Sequence, residues 1–182
     1  MRASGGLGTD RHDSPGDALP GVPARARFDV MACRLRSGFD REPHRARFEC
    51  ILIGFLSVRP GSTHEEVAQA VFSNCNGAGV SLRMVLRRFR KEVDRSYVRC
   101  ESGRYRLTDD PLAELRFVER TMRSIARGSR VDTRCLAMLR DCLARLQSRP
   151  ALMGRYEWFE PTEWRLRRLE SEIASALAAR AG

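Results

Sequence analysis

The amino-acid sequence predicts a mostly α-helical fold with a small β component. Apolar residues recur at helical spacing in six segments, at about residues 45–59, 63–72, 81–95, 111–127, 131–147 and 162–180. Two other segments hold β-compatible residues, with partial alternation of apolar and polar residues in 28–36 and regular alternation in 97–107. Gly, Pro and Ser residues separate most of these segments, which favours short connections between packed elements.

The pattern divides the chain into three parts. Residues 1–27 are rich in Gly, Pro, Asp, Ser and Ala without periodicity, so we expect a disordered tail. Residues 28–109 contain both β-compatible segments and the first three helical ones, and we take them as one domain. Residues 110–182 form a helical extension. In the middle part, we expect one strand over 28–36 that ends at a Ser37-Gly38 turn.

Two helices are expected before the basic segment. The first, over 45–59, has an apolar stripe and ends at Pro60-Gly61. The second begins at Thr63, because Glu66 three residues later completes a capping-box pattern. Its apolar residues extend to about Phe72. A short loop then leads to the third helix.

The third helix, over 81–95, is amphipathic and basic, with Ser81 as its expected N-cap. At about 100° of rotation per residue, Leu82, Val85, Leu86, Phe89 and Val93 form one buried stripe. The opposite face holds Met84, Arg87, Arg88, Lys91 and Arg95, with Arg83 and Arg90 on one flank. Such a face suits a DNA major groove, although charged residues also simply solvate many amphipathic helices.

The regular alternation after this helix predicts a β-hairpin with its turn at Ser102-Gly103. One face of the hairpin is apolar and the other carries arginines. From Ser81 to Leu107 the chain has nine basic residues and three acidic ones, a local excess of six in a protein of net charge +10. This concentration of charge, with the pI of about 10.3, favours a polyanionic partner.

Three helices are expected in the extension. Asp110 and Pro111 begin the first, and Gly128 ends it. The second extends from Val131 to Gln147 and stops before Pro150. The third covers 162–180, with Leu166, Leu169, Ile173 and Leu177 facing inward.

The order of these elements resembles a winged helix-turn-helix, specifically the OmpR-type effector domain of the actinomycete antibiotic regulatory proteins. The similarity covers about residues 46–109 and lies in FLSVRPGSTHEEVAQAVF, SLRMVLRRFRKEV and YVRCESGRYRLTD, which match the helix-turn-helix, the recognition helix and the wing. The sheet that precedes the first helix in that family would be shortened or lost here.

The resemblance implies double-stranded DNA as partner, with helix 81–95 in the major groove and wing 97–107 on the adjacent minor groove. The DNA-binding residues that it implies are Thr63, His64, Ser81, Arg83, Met84, Arg87, Arg88, Arg90, Lys91, Arg99, Arg104 and Arg106.

Within that placement, each residue has an expected role. The N-terminus of the second helix, at Thr63 and His64, would bind a phosphate through backbone N–H groups. Met84 would touch a thymine methyl group, and Arg104 at the hairpin tip would be the main wing contact.

The segment PALMGRYEWFEPTEWRLRRLESEIASAL is similar to the start of the bacterial transcriptional activation domain, a helical, TPR-like module that follows the winged helix in the same family. Here the module looks shortened. Helical repeats bury their apolar faces against neighbours, so a homodimer or a partner protein would cover the remaining edge. Trp158 and Trp164 are the interface residues we would test, although a tryptophan packed within its own helix pair is the commoner arrangement. RNA polymerase is a further candidate partner.

The sequence does not suggest an enzyme, a cofactor or a metal site. His12, His44 and His64 are isolated, and the six cysteines contain no CxxC pair, which favours buried thiols in a reducing cytoplasm. An apolar signal segment and a membrane span are not evident. We therefore expect a cytoplasmic, sequence-specific DNA-binding transcription regulator. The alternatives are an adaptor whose winged helix does not read DNA and, less favoured, an RNA-binding protein.

Overall fold

The computed structural model describes residues 27–36, 47–72, 77–150 and 155–180. These residues form six α-helices, five short strands and a 3₁₀ turn. The predicted mostly helical fold with a small β component is confirmed. Residues 1–26 of the predicted tail (1–27) and the Ser37-Gly38 turn lie outside the described residues, whereas Arg27 is the first residue of a strand.

The N-terminal β-compatible segment is a hairpin of two antiparallel strands, β1 (Arg27–Asp29) and β2 (Arg34–Arg36). Our prediction of one strand over 28–36 is therefore wrong. The Asp29 carboxylate accepts a hydrogen bond from the Ala32 N–H at 3.1 Å, and Cys33 has a left-handed φ of 48°. These two features turn the chain in the middle of the segment, which explains why its alternation is only partial.

Helix α1 (Arg47–Val58) lies at the centre of the molecule. Ile51, Leu52, Ile53 and Leu56 on it are fully buried, so more than one face of the helix is covered. It contacts both strands of the N-terminal hairpin, the two helices that follow and the 3₁₀ turn near the C-terminus. This central position explains why α1 is apolar almost all round.

The predicted capping box is confirmed at the start of the next helix. The Glu66 N–H donates to Thr63 Oγ1 at 3.3 Å, and the Thr63 N–H donates to Glu66 Oε2 at 2.7 Å. Thr63 also belongs to a two-residue strand, β3 (Ser62–Thr63), which is too short to produce a sequence pattern. Helix α2 (His64–Val71) follows it directly.

Helix α3 (Ala78–Glu92) begins three residues before the predicted N-cap. Gly77 occupies the N-cap position with a left-handed φ of 81°, and the Ser81 N–H donates to the Gly77 carbonyl at 3.1 Å. Ser81 therefore lies in the first turn, and its prediction as N-cap is wrong. The helix also ends before the predicted Arg95, because the Asp94 carboxylate accepts a hydrogen bond from the Ser96 N–H at 2.7 Å in a turn.

The predicted basic hairpin is confirmed, with strands β4 (Val98–Glu101) and β5 (Arg104–Leu107). Ser102 and Gly103 both have positive φ, 50° and 74°, as a tight hairpin turn requires. Strand β5 also pairs with β3, so the sheet has the order β3-β5-β4. This pairing places the N-terminus of α2 beside the hairpin.

The rest of the chain forms α4 (Leu112–Ala126), α5 (Thr133–Gln147), a 3₁₀ turn (Glu157–Phe159) and α6 (Glu160–Ala178). The Asp110 carboxylate accepts from the Leu112 N–H at 3.2 Å, and Asp132 caps α5 through the Cys135 N–H at 2.7 Å. Gly128, with φ of 87°, follows the end of α4 as predicted.

The apolar core is continuous across residue 110. Buried side chains from β1, from α1 to α3 and from all three C-terminal helices belong to one cluster. The Tyr97 hydroxyl accepts a hydrogen bond from the Phe28 N–H at 3.0 Å, which ties the first hairpin to the start of β4. Helices α4 to α6 therefore pack directly on the N-terminal part of the chain.

The cysteines differ in exposure. Cys33 and Cys142 are buried as expected, and burial raises the pKa of the Cys33 thiol to about 12. Cys100 on β4 is exposed, so the prediction of a buried thiol is wrong there. Cys75 lies outside the described residues. In the described ranges, we find no helix with the length and hydropathy that crossing a membrane requires.

Candidate functional site

The outward face of α3 carries basic and apolar side chains together. Helical rotation places Val80, Met84, Arg87 and Lys91 along its centre line, and all four are exposed. The exposed fraction is 68% for Met84 and 55% for Val80, whereas Leu82 and Phe89 on the opposite face are fully buried. Sequence reasoning missed Val80, because it assigned that residue to the loop before the helix.

A groove of about 530 Å³ separates one flank of α3 from the hairpin. Its lining includes five basic side chains and the ring of Tyr105. The basic residues are Arg83, Arg87, Arg90, Lys91 and Arg95. Arg83 is exposed, while Arg90 is half-buried and donates from Nη2 to the Val98 carbonyl at 3.4 Å. Five positive charges around one open groove give it a strongly positive potential.

Arg88, on the other flank of α3, is held by a carboxylate on α1. Its Nε donates to Glu49 Oε1 at 2.6 Å, and its Nη2 forms an ion pair with the same oxygen. The Glu49 side chain is buried, and its Oε2 has no hydrogen-bond partner among the described residues. A buried carboxylate without this guanidinium would be costly, so Arg88 fixes α3 against α1.

His64 joins three elements of the site. Its Nε2 lies 3.1 Å from the Gly79 carbonyl at the start of α3, and its Nδ1 lies 3.1 Å from the Tyr105 hydroxyl on β5. A carbonyl only accepts, so Nε2 carries the proton, and in the neutral tautomer Nδ1 accepts from the Tyr105 hydroxyl. Burial raises the pKa of Tyr105, which keeps that hydroxyl protonated. The His64 side chain thus positions the helix and the hairpin, and the half-buried Thr63 hydroxyl is similarly occupied in the capping box.

The three predicted arginines of the hairpin are exposed, but their surroundings differ. Arg104 Nη1 donates to the Gly61 carbonyl at 2.8 Å, which ties the start of β5 to the turn before β3. Arg99 and Arg106 are directly opposite each other in the β4–β5 register. Like charges at such a pair destabilise a hairpin. A bound anion would relieve this repulsion.

No protein-family model matches the chain, and no curated protein is significantly similar to it. The geometry of the described residues is therefore the basis for a functional conclusion. Among those residues, no group of three or more His, Cys, Asp or Glu side chains is placed to hold a metal ion.

The two tryptophans predicted as interface residues have different environments. Trp158 is half-buried: its ring packs edge-on against Phe55, with 5.2 Å between centroids, and its Nε1 donates to the Ala70 carbonyl at 3.3 Å. Trp158 thus fastens the 3₁₀ turn to α1 and α2. Trp164 on α6 is 61% exposed, with the Arg168 guanidinium 5.2 Å from its ring centroid. Of the two, only Trp164 presents a large accessible surface.

Proposed function

We propose that this chain is a sequence-specific DNA-binding transcription regulator of the winged helix-turn-helix class. Helix α3 would enter the major groove, and the β4–β5 hairpin would contact the adjacent minor groove. The observation that carries the proposal is the outward face of α3. Arg83, Arg87 and Lys91 are exposed there, and none of them has an acidic partner among the described residues.

The cost of this charge distribution supports a polyanionic ligand. Unpaired cations on one helix face repel each other, and so do Arg99 and Arg106 across the hairpin. Folding gains nothing from that repulsion. A row of phosphates would convert it into attraction, and the release of condensed counterions would add to the affinity.

The shape of the region favours duplex DNA over a small anion. An α-helix fits the major groove, which is about 12 Å wide, and the exposed face of α3 spans three turns from Val80 to Lys91. The groove beside the helix would leave room for one strand of the DNA backbone between α3 and the hairpin. The strand order β3-β5-β4, with α2 and α3 packed together, supports the winged-helix class.

The predicted contact residues would not contribute equally. The main candidates for DNA contacts are Arg83, Arg87 and Lys91. Their charged groups are exposed and have no acidic partner among the described residues. His64 and Arg88 make hydrogen bonds within the chain and would mainly hold α3 in place. Arg104 would reach a phosphate only from its remaining N–H groups.

The C-terminal helices offer a second candidate function, which is protein binding. A tryptophan with an exposed ring is a common centre of protein interfaces, and Trp164 is one. An adaptor would use this surface and leave α3 without a nucleic acid. A regulator would use both surfaces, with a second copy, RNA polymerase or another protein on α6.

Duplex binding at several salt concentrations tests the proposal. We expect the logarithm of the binding constant to fall steeply with the logarithm of salt concentration, and Arg87→Ala with Lys91→Ala to reduce that slope by about two. Arg120→Ala with Arg123→Ala removes the same charge from exposed positions on α4 and is the matched control. The control should leave the slope unchanged.

Two results would contradict the regulator. Absence of binding at about 50 mM salt would favour the adaptor. Equal losses in the α3 variant and the α4 variant would indicate attraction by total charge only. Sequencing of genomic fragments retained by the purified chain then tests sequence specificity.

A further inference from the structure

We propose that Val80 and Met84 together form an apolar surface that recognises thymine methyl groups in the major groove. This inference rests on the proposed DNA-binding function and adds a base preference to it. It concerns the pair of residues, since Val80 extends the apolar surface by a full turn beyond Met84.

The two side chains are unusual because they are apolar on a face that the core does not use. Val80 and Met84 are four residues apart on α3, so they are neighbours on the helix surface. More than half of each residue is exposed, whereas Val85 and Leu86 on the other side of the helix are buried. Their exposure costs free energy that a ligand would recover by covering them.

The charges around the pair indicate what kind of ligand would cover it. Arg87 lies one turn after Met84 on the same face, Lys91 continues that line, and Arg83 lies on the adjoining flank. The ligand must therefore be polyanionic and must also present apolar groups at a short distance from its charges. Duplex DNA does so at each thymine, whose C5 methyl projects into the major groove beside the phosphate backbone.

The position of the pair along the helix agrees with this assignment. Val80 and Met84 lie in the N-terminal half of α3, which begins at Ala78. In helix-turn-helix proteins, the N-terminal residues of the recognition helix contact the base edges. Arg87 and Lys91 follow in the C-terminal half, where they would hold phosphates on either side of the contacted bases.

The test uses short duplexes that the full chain selects from a random library. Each thymine of a selected duplex is replaced in turn by deoxyuridine, which removes the methyl group and keeps the base-pairing edge. We expect about fourfold weaker binding at one or two adjacent positions, since that factor corresponds to burial of one methyl group. Replacement at other positions should have no effect.

Protein variants identify the residues that make the contact. Val80→Ser with Met84→Gln removes the apolar surface and keeps the length of the second side chain. For this variant, the dissociation constant of the deoxyuridine-containing duplex should equal that of the thymine-containing duplex, so their ratio should fall to one. Phe117→Gln, at an exposed apolar position on α4, is the control and should keep the wild-type ratio. Both substituted positions on α3 are exposed, and circular dichroism checks that the helix content is unchanged.

The outcomes separate this inference from the proposed function. Salt-dependent duplex binding that is indifferent to every methyl group, or selected duplexes without thymine, would overturn the inference and leave the regulator standing. A methyl effect that persists in the double variant would also overturn it. Failure to bind any duplex would overturn both the inference and the proposed regulator. The basic face of α3 would then be explained by an acidic protein segment that covers it.

Discussion

Three arginine side chains of the C-terminal part and the exposed basic side chains of α3 have opposite surroundings. In the C-terminal part, three arginines are mostly buried and paired with carboxylates. Two of them contact two or more carboxylates each, and the third makes two hydrogen bonds to a single carboxylate. Arg145 contacts Asp29 and Glu114, Arg149 contacts Glu163 and Glu170, and Arg165 forms two hydrogen bonds with Glu119. On α3, the exposed Arg83, Arg87 and Lys91 lack such partners among the described residues.

The difference shows that a net charge of +10 contains two kinds of arginine. One kind joins elements of the fold: Arg145 on α5 contacts both Asp29 of β1 and Glu114 of α4, so a single side chain connects three elements. The other kind contributes positive potential at the surface and little to folding. Only the second kind is available to a polyanion, so the distribution of partners is more informative than the total charge.

The largest expected effect comes from removing a buried member of the first kind. Arg145→Met keeps much of the side-chain volume but removes a guanidinium that pairs with the buried Asp29 carboxylate and with Glu114. Hydrogen bonding with Glu114 raises the pKa of Arg145, so the group is fully charged in the folded chain. We expect a loss of about 3–5 kcal/mol in the free energy of unfolding, measured by urea denaturation.

The matched variant Arg87→Met makes the same change at an exposed position on α3. Its effect on unfolding should lie within about 0.5 kcal/mol, because no ion pair within the described residues is lost. Similar losses of stability in the two variants would show that the division into two kinds of arginine is wrong.

The fold was largely predictable because its helices have regular apolar periodicity and recognisable ends. The capping box at Thr63 and the glycine after α4 were found from residue type and spacing alone. The errors have local physical causes. The Asp29 side chain turns the chain between β1 and β2, and a left-handed Gly77 begins α3 earlier than Ser81 would. The strand β3 exists only because β5 pairs with it.

The candidate site was predictable as a face but not as a set of free side chains. Helical spacing was sufficient to place Met84, Arg87 and Lys91 outward. Spacing does not show that Arg88 reaches Glu49 or that His64 lies between Gly79 and Tyr105, since these contacts join residues up to 41 positions apart. Val80 was missed because the error at the helix start removed it from the helix.

A smaller effect is expected from the contact that holds the exposed face of α3 in place. His64→Leu removes the hydrogen bonds to the Gly79 carbonyl and the Tyr105 hydroxyl, both at 3.1 Å. We expect a loss of about 1–3 kcal/mol in the free energy of unfolding, because partly buried polar groups lose their partners. Tyr105→Phe removes one of the two bonds and should cost about half as much. Glu65→Gln, at the exposed neighbouring position in the first turn of α2, should cost only a few tenths of a kcal/mol, from its weaker interaction with the helix dipole.

Hydrogen exchange would show whether His64 acts as the link between α3 and the hairpin. In His64→Leu, the amides at the start of α3 and in β5 should exchange faster, and those of α5 and α6 should not change. Uniformly faster exchange across the chain would indicate a general loss of stability and not a local one.

The smallest expected effect is a pH dependence of the unfolding free energy that comes from the Arg165–Glu119 pair. The side-chain hydrogen bonds from Arg165 lower the pKa of Glu119 below its usual value of 4.5. Because the folded-state pKa is the lower one, the stabilisation is fully present above pH 4.5 and is lost as the pH falls through the folded-state value. The free energy of unfolding of the wild type should exceed that of Glu119→Gln by about 1 kcal/mol at neutral pH, and by less at each step below pH 4.5.

Glu172→Gln, in the exposed pair with Arg168, should show a difference of a few tenths of a kcal/mol at most, which is about the value of a solvent-exposed ion pair. If the difference in unfolding free energy between the wild type and Glu119→Gln does not change with pH, the Glu119 carboxylate is not held by Arg165. Arg165 would then no longer be an example of a buried, paired arginine, and only Arg145 and Arg149 would support the contrast with α3.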